Sequence, residues 1–369
     1  MKIIEIIPQL SSGGGERFTV DLCNELVTKG HDVTIVVLLS LNKNTNFYLY
    51  DLLPEVKVVS MNKKKGLDFD IISRIRKYLK SQSPHIVHTH LRAISYVLPY
   101  AMFERKTKFF HTIHSAAQQE AGGSLGTIVR KIAFKFGYIS SVTISKDSHR
   151  SFLDFYKKES PMIVNGRNIP NRIEVSENVK QEIKQYKKNK STRILIQLAS
   201  IYEVKRQELM ARVCKKLSDE GFDFSLLMIG RTPDIEYKKK VEEIDSPDVH
   251  LIGERRKVLE YLTEADAYCL CSSYEGMPIS LIEALGCYTI PICTPVGGII
   301  NTIRDGVNGF LSKDLEEDSY YLALKRFLLL NAEDLSAMKL KARESYKPYS
   351  MSDCANKYIN LFKGINNEM

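Results

Sequence analysis

The segment from Ser272 to Ala284 reads Ser-Ser-Tyr-Glu-Gly-Met-Pro-Ile-Ser-Leu-Ile-Glu-Ala and follows an apolar run that ends at Cys271. Proline suits the first turn of a helix. With Pro278 there, Gly276, Met277, Ile279 and Ser280 present a helix start whose backbone N–H groups have no partner inside the helix. Such an end binds phosphate or other anionic oxygens. Glu275 then stands at the mouth of the loop and Glu283 about two turns inward. Both can accept hydrogen bonds from neutral hydroxyls, which a sugar and a ribose offer. Taken alone, two glutamates eight apart mean little, and salt-bridged surface acids are the simpler reading. A second strand, glycine turn and helix start follows at Thr294-Pro295-Val296-Gly297-Gly298-Ile299, so two anion-friendly turns come from neighbouring strands.

Cations stand earlier in the same half. Lys205 and Arg206 lie at a helix start, Arg231 follows an apolar run in Ile229-Gly230-Arg231-Thr232-Pro233, and Gly253 to Arg255 form a comparable later loop. Near the N-terminus, Ser11 to Arg17 contains Gly13, Gly14 and Gly15 between strand and helix. A dinucleotide fingerprint needs a third glycine where this chain has Phe18, so a nicotinamide site is not expected. A plain tight turn also fits that loop. His85, His88 and His90 form one histidine group, and His111 and His114 another. His88 and His90 share a face of a strand end, but no acid or cysteine stands nearby at ligand spacing, so no metal site is expected.

The elements that must position these residues alternate between short β-branched runs and longer amphipathic stretches, which predicts an α/β chain with parallel strands and crossover helices. Strands are expected at Lys2–Ile7, Val33–Leu38, Val56–Ser60, Ile86–Thr89, Lys108–Thr112 and Ser141–Ile144. A second series is expected at Arg193–Leu198, Phe224–Ile229, Val249–Ile252, Ala267–Cys271 and Thr289–Cys293. Glu16–Thr28 and Asp68–Lys80 have helical spacing. The expected organisation is a first doubly wound domain at 1–170, a polar linker at 171–192, a second doubly wound domain at 193–346, and a C-terminal segment, 347–369, whose helix packs back on the first. Tandem domains of this kind imply a cleft, with ligands at the carboxyl ends of the strands.

Composition narrows the setting. The 369 residues are 44% hydrophobic and 26% charged, enough apolar material for two cores and unlike a disordered chain. No apolar stretch approaches the ~20 residues of a spanning helix. The N-terminal run carries Glu5 and lacks a small-residue cleavage site, so a cytoplasmic protein is expected. Seven scattered cysteines read as reduced core residues. A net charge of +9 favours an anionic partner. Basic groups at Lys63-Lys64-Lys65, at Arg74 to Lys80 and at Lys238-Lys239-Lys240 also fit solvated faces, and no aromatic-basic reader of nucleic acid appears. Ser124–Phe136 pairs Leu125, Ile128, Val129, Ile132 and Phe136 with Arg130, Lys131 and Lys135, which fits a buried face with a basic edge or a peripheral contact with an anionic membrane.

The second half resembles the nucleotide-sugar-binding domain of family 4 retaining glycosyltransferases of the GT-B fold. The resemblance rests on Tyr274-Glu275-Gly276-Met277-Pro278 with Glu283-Ala284-Leu285-Gly286, then Val296-Gly297-Gly298 and Asp305-Gly306-Val307-Asn308-Gly309-Phe310-Leu311. It implies two Rossmann-like domains facing across a cleft. Glu275 and the amides of Gly276, Met277 and Ile279 would hold the donor sugar, Pro278 would shape the turn, and Glu283 would bond the ribose. Lys205 matches the family's lysine for the diphosphate. Ser200 stands where the family carries an arginine, which leaves that charge to Lys205 with Arg206 or Arg231. Arg231 and Gly253 would line the nucleotide site. Gly14 and Gly15 fall in the family's N-terminal glycine segment, and His114 matches a histidine directed at the sugar, with His111 as the core-packing alternative. Asn165-Gly166 resembles a structural turn.

The implied activity is transfer of a hexose or related sugar from a nucleotide diphosphate, UDP favoured over GDP, to a saccharide acceptor. That acceptor is expected to be lipid-linked, in cell-surface polysaccharide assembly, with no metal and no other cofactor. An epimerase-like enzyme of similar shape and a non-catalytic nucleotide-sugar-binding partner are the rival readings.

Overall fold

The computed structural model describes residues 1–42, 46–64, 66, 68 and 70–365, so Lys65 of the first basic group lies outside the described residues. Two compact units divide the chain: Met1–Asn168 with Tyr349–Met369, and Ile169–Pro348.

In the first unit the strands are β1 (Lys2–Ile7), β2 (Asp32–Val37), β3 (Lys57–Ser60), β4 (Ile86–His90), β5 (Lys108–Ile113) and β6 (Ser140–Thr143). They form a parallel sheet in the order β3-β2-β1-β4-β5-β6. Strands covered on both faces can be apolar at nearly every position. In β1, Ile3, Ile4, Ile6 and Ile7 are fully buried, and the exception is Glu5, an acid just as buried. The order reverses direction between β1 and β4. At such a switch point the loops after the two strands diverge and leave a crevice. The loop after β1 is the glycine segment, and helix Gly14–Thr28 starts inside it. The C-terminal helix Met351–Lys363 belongs to this unit and buries Tyr358 and Phe362. Tyr358 OH meets Thr112 Oγ1 at 2.8 Å, and Lys108 Nζ donates to the Phe362 carbonyl at 3.1 Å.

The second unit holds β7 (Arg193–Leu198), β8 (Phe224–Ile229), β9 (Val249–Gly253), β10 (Ala267–Leu270), β11 (Ile290–Cys293) and β12 (Phe310–Leu311). Their order is β12-β11-β10-β7-β8-β9, all parallel. Here the switch point falls between β7 and β10. The loops that leave those two strands carry Lys205 and Glu275.

Residues 171–192 are not a plain linker. They carry the helix Glu177–Lys184, whose Val179 and Ile183 are buried one turn apart. The helix is tied down by Glu182, which bonds Arg255 at 2.6 Å, and by Ser176, whose N–H donates to Glu260 Oε2 at 2.8 Å. The second unit already begins at Ile169, whose N–H meets Tyr346 OH at 3.2 Å and whose side chain fills the space beside Gly286. All seven cysteines are free and buried.

The segment expected at Ser124–Phe136 forms helix Gly123–Lys135 with an unexpected facing. Arg130 is 1% exposed, its guanidinium donating to the carbonyls of Leu91 at 2.9 Å and Ala121 at 3.3 Å. Leu125, Ile128 and Phe136 are exposed beside Lys131 and Lys135. A guanidinium supplies several donors, and here buried carbonyls accept two of them.

Candidate active site

The site in the second unit is built by two interlocked turns. After β10 the chain runs through Ser272 to Pro278 and enters helix Ile279–Gly286. Pro278 is the residue that caps this helix rather than its first residue, with φ −64° and ψ 124°. After β11 the second turn passes Gly297 at φ +54°. A Cβ at Gly297 would lie 2.1 Å from the Glu275 carbonyl oxygen, and one at Gly298 would lie 2.7 Å from Met277 Sδ. Only glycine permits this approach. The Gly298 N–H donates to the Gly276 carbonyl at 2.6 Å and Thr294 Oγ1 donates to the Ser272 carbonyl at 2.7 Å, which locks the turns together.

Into this frame Lys205 reaches from the turn Glu203–Lys205 that follows β7. Its Nζ stands 2.6 Å from Glu275 Oε1, which also accepts from Ser272 Oγ at 2.6 Å. Both side chains are largely out of solvent, at 17% and 9% exposure. Burial works against the Lys205 ammonium, but the charge of Glu275, with a further contribution from Tyr202, outweighs it and lifts the pKa above an ordinary lysine's. Lys205 is therefore a firmly charged cation held against a carboxylate at a switch point. Glu283, one turn into the helix, is 5% exposed.

The other expected contacts divide. Arg206, in the left-handed region at φ 52°, donates to the Leu315 carbonyl at 2.6 Å, so it buttresses the loop while its neighbour Lys205 faces Glu275. Arg231 is exposed, and its Nε donates to Ser200 Oγ at 3.3 Å, which places a guanidinium next to the serine. Gly253 ends β9 and its carbonyl accepts from the Gly230 N–H at 3.1 Å, one loop removed from Lys205. Arg255 is spent on Glu182, which also accepts from Tyr261 OH.

In the first unit Gly14 and Gly15 are the opening residues of helix Gly14–Thr28, and Gly13 is its cap. A Cβ at Gly15 would lie 3.2 Å from Leu91 Cδ2 and 3.5 Å from His114 Cγ, so the glycine lets that helix start approach the histidine. The two histidine candidates separate by burial. His111 is fully buried, with Nδ1 2.9 Å from Thr89 Oγ1 and Nε2 3.0 Å from Glu120 Oε1. Burial, with the charge of Arg130, pushes its pKa well below the usual histidine range. His114 is half-buried, its backbone N–H donating to Glu120 Oε2 at 2.6 Å and its Nε2 3.0 Å from His90 Nδ1.

The acid that sequence spacing did not supply to His88 and His90 is Glu5, from the neighbouring strand. Its Oε2 lies 2.9 Å from His88 Nδ1 and 2.8 Å from His90 Nε2, and the three form a cluster of possible ligand atoms. Two ligands of one tetrahedral zinc, each about 2.1 Å from the ion, lie roughly 3.4 Å apart. The separations here are shorter than that, and the His90 contact is a hydrogen bond. The Glu5↔His88 register between β1 and β4 brings the acid across, and a lone glutamate within an isoleucine run was the sequence signal for it.

Comparison with known proteins finds relatives in both halves of the chain. Residues 12–194 match the model of Glycosyltransferase Family 4, and residues 178–345 match that of Glycosyl transferases group 1. The chain is a family 4 glycosyltransferase of the GT-B fold. It is 25% identical over 373 residues to the N-acetyl-alpha-D-glucosaminyl L-malate synthase of Bacillus anthracis, covering 96% of this chain and 95% of that one. It is 26% identical over 383 residues to a Campylobacter jejuni alpha-1,4-N-acetyl-D-galactosaminyltransferase whose named substrate is a GalNAc-containing saccharide on diphospho-undecaprenol, covering 100% and 99%. The fold matches that of Anabaena HepE in complex with UDP and glucose at a TM-score of 0.80 and 13% identity, covering 98% of this glycosyltransferase and 99% of HepE.

Proposed function

We propose that this glycosyltransferase moves a hexose or N-acetylhexosamine, with retention of configuration, from a uridine diphosphate donor to a lipid-linked saccharide in cell-surface polysaccharide assembly. The observation that carries the reading is the Lys205–Glu275 pair, set at 2.6 Å between the loops that leave β7 and β10. A cation there offsets the charge that grows on a leaving diphosphate, together with the backbone N–H groups before helix Ile279–Gly286. Glu275 accepts hydrogen bonds from sugar hydroxyls and Glu283 from the ribose. In the transfer step the bond from the anomeric carbon to the diphosphate breaks as the acceptor oxygen bonds the same face. The acceptor's proton passes to the leaving diphosphate, so no protein nucleophile and no metal are required.

UDP is favoured because the structural neighbour HepE was solved with it, and a saccharide on a lipid diphosphate because the Campylobacter relative is named for one. No helix among the described residues is long and apolar enough to cross a membrane. The exposed Leu125, Ile128 and Phe136 beside Lys131 and Lys135 suit shallow contact with an anionic bilayer, where such an acceptor resides. The test is a transfer assay with UDP-linked N-acetylhexosamines and hexoses against undecaprenyl-diphosphate saccharides, with the product's anomeric configuration read by NMR. An α-linked product from an α-linked donor is expected; an inverted product would overturn the mechanism.

A further inference from the structure

A buried polar chain in the first unit takes no part in the reaction as described. Glu5 Oε2 stands 2.8 Å from His90 Nε2, and His90 Nδ1 stands 3.0 Å from His114 Nε2. Glu5 and His90 are 0% exposed, whereas His114 is half-buried beside the helix start at Gly15. A side branch approaches the acid from the other flank. His88 Nδ1 lies 2.9 Å from the same carboxylate oxygen, His88 Nε2 lies 2.8 Å from Thr112 Oγ1, and Thr112 Oγ1 meets Tyr358 OH at 2.8 Å.

The protons in this chain follow from its chemistry. An ionised carboxylate only accepts, and a neutral imidazole has one N–H and one lone pair. Burial pushes the Glu5 carboxyl up, but His88 and His90 outweigh it and hold it at about 2, so it is ionised. Burial and His88 hold His90 at about 4 against the pull of Glu5, so it is neutral. His90 Nε2 must therefore carry the proton toward Glu5, which leaves only a lone pair on Nδ1. The proton of the next bond then comes from His114 Nε2.

We propose that Glu5, acting through His90, is a positioning residue that fixes His114 as the Nε2–H tautomer, so that His114 Nδ1 offers a lone pair to a substrate hydroxyl in the crevice beside Gly15. The groups around His114 leave that outcome intact. Glu120 accepts its backbone N–H and bonds His111 Nε2, and Phe18 packs edge-on to its ring at 5.6 Å. The proposal rests on the reading of the chain as a glycosyltransferase whose first unit meets a substrate hydroxyl beside Gly15.

The test is NMR of the ring nitrogens in the full-length protein labelled with 15N-histidine, with the His114 signals assigned from His114→Gln. The expected result at neutral pH is a protonated Nε2 and a bare Nδ1 at His114. In Glu5→Gln, whose amide can turn either its oxygen or its NH2 to His90, that preference is expected to relax. There kcat should fall at least about tenfold while UDP affinity holds. A wild-type Nδ1–H tautomer at His114 would overturn the relay even with His114→Gln inactive. So would an unchanged kcat and tautomer in Glu5→Gln. Full activity in His114→Gln, whatever the tautomer, would instead sink the reading of His114 as a substrate contact.

Discussion

Lys205 and Glu275 hold each other in position before any donor arrives. A buried ion pair gains little over an apolar isostere, but removing one partner strands the other. Lys205→Ala leaves the Glu275 carboxylate, 8% exposed, with Ser272 Oγ as its remaining bond in this pair of turns. The variant should lose about 3 kcal/mol in urea unfolding and lower kcat by at least about a hundredfold. Wild-type turnover would remove Lys205 from the chemistry. A second consequence at this scale concerns acid. His90 is held at about 4 and His114 at about 3, mainly by burial, against an ordinary 6.5, while Glu5 sits at about 2 against 4.5. In each case the unfolded chain binds protons that the native one refuses. The stability the histidines contribute is thus complete above pH ~6.5 and drains as pH falls toward their native values, with Glu5 adding the same sign below pH ~4.5. The unfolding free energy from urea titrations should fall between about pH 7 and about pH 5, by roughly 1 kcal/mol per pH unit for each histidine. A flat profile would mean that these histidines are not neutral in the fold.

The elements that place these side chains were legible to different degrees, and the reasons are physical. Runs such as Arg193–Leu198 and Phe224–Ile229 fall where their β-branched and aliphatic content puts them, because a strand buried on both faces needs an unbroken apolar run. β12, two residues long, is too short to show a pattern. In helix Glu177–Lys184 the two buried residues, Val179 and Ile183, are outnumbered by charges, so composition read as linker what packing made part of a domain. Arg130 defeats a default: a basic residue on an amphipathic helix is assigned to water, and only the fold brings the Leu91 and Ala121 carbonyls to it. The glycines after β11 carried a clearer signal. Gly297 is held at positive φ with no room for a Cβ. Gly297→Ala should push the second turn off Glu275 and Gly276 and cost about 1–3 kcal/mol. Donor affinity should drop with far-UV circular dichroism unchanged. Wild-type affinity would show that the turns need not interlock.

At the scale of the whole molecule, both units apply one rule to different ends. In each, the sheet order reverses once, and the loops at the reversal carry the polar residues: the glycine segment after β1, and Lys205 and Glu275 after β7 and β10. The periodicity of the chain foretold the two sheets and the late motifs foretold the second crevice. Glu5 stayed hidden because its partners lie more than eighty residues away, and only the β1–β4 register brings them together. The central claim is that the second crevice is a nucleotide-sugar site. Calorimetry and thermal shift with UDP, GDP, ADP and their sugar conjugates, on wild type and on Glu283→Ala, test it most directly. The expected result is selective stabilisation by UDP and UDP-sugars, with affinity about tenfold or more weaker in the variant as a hydrogen bond to a charged group is lost. No stabilisation by any nucleotide, or equal stabilisation of both proteins, would contradict it.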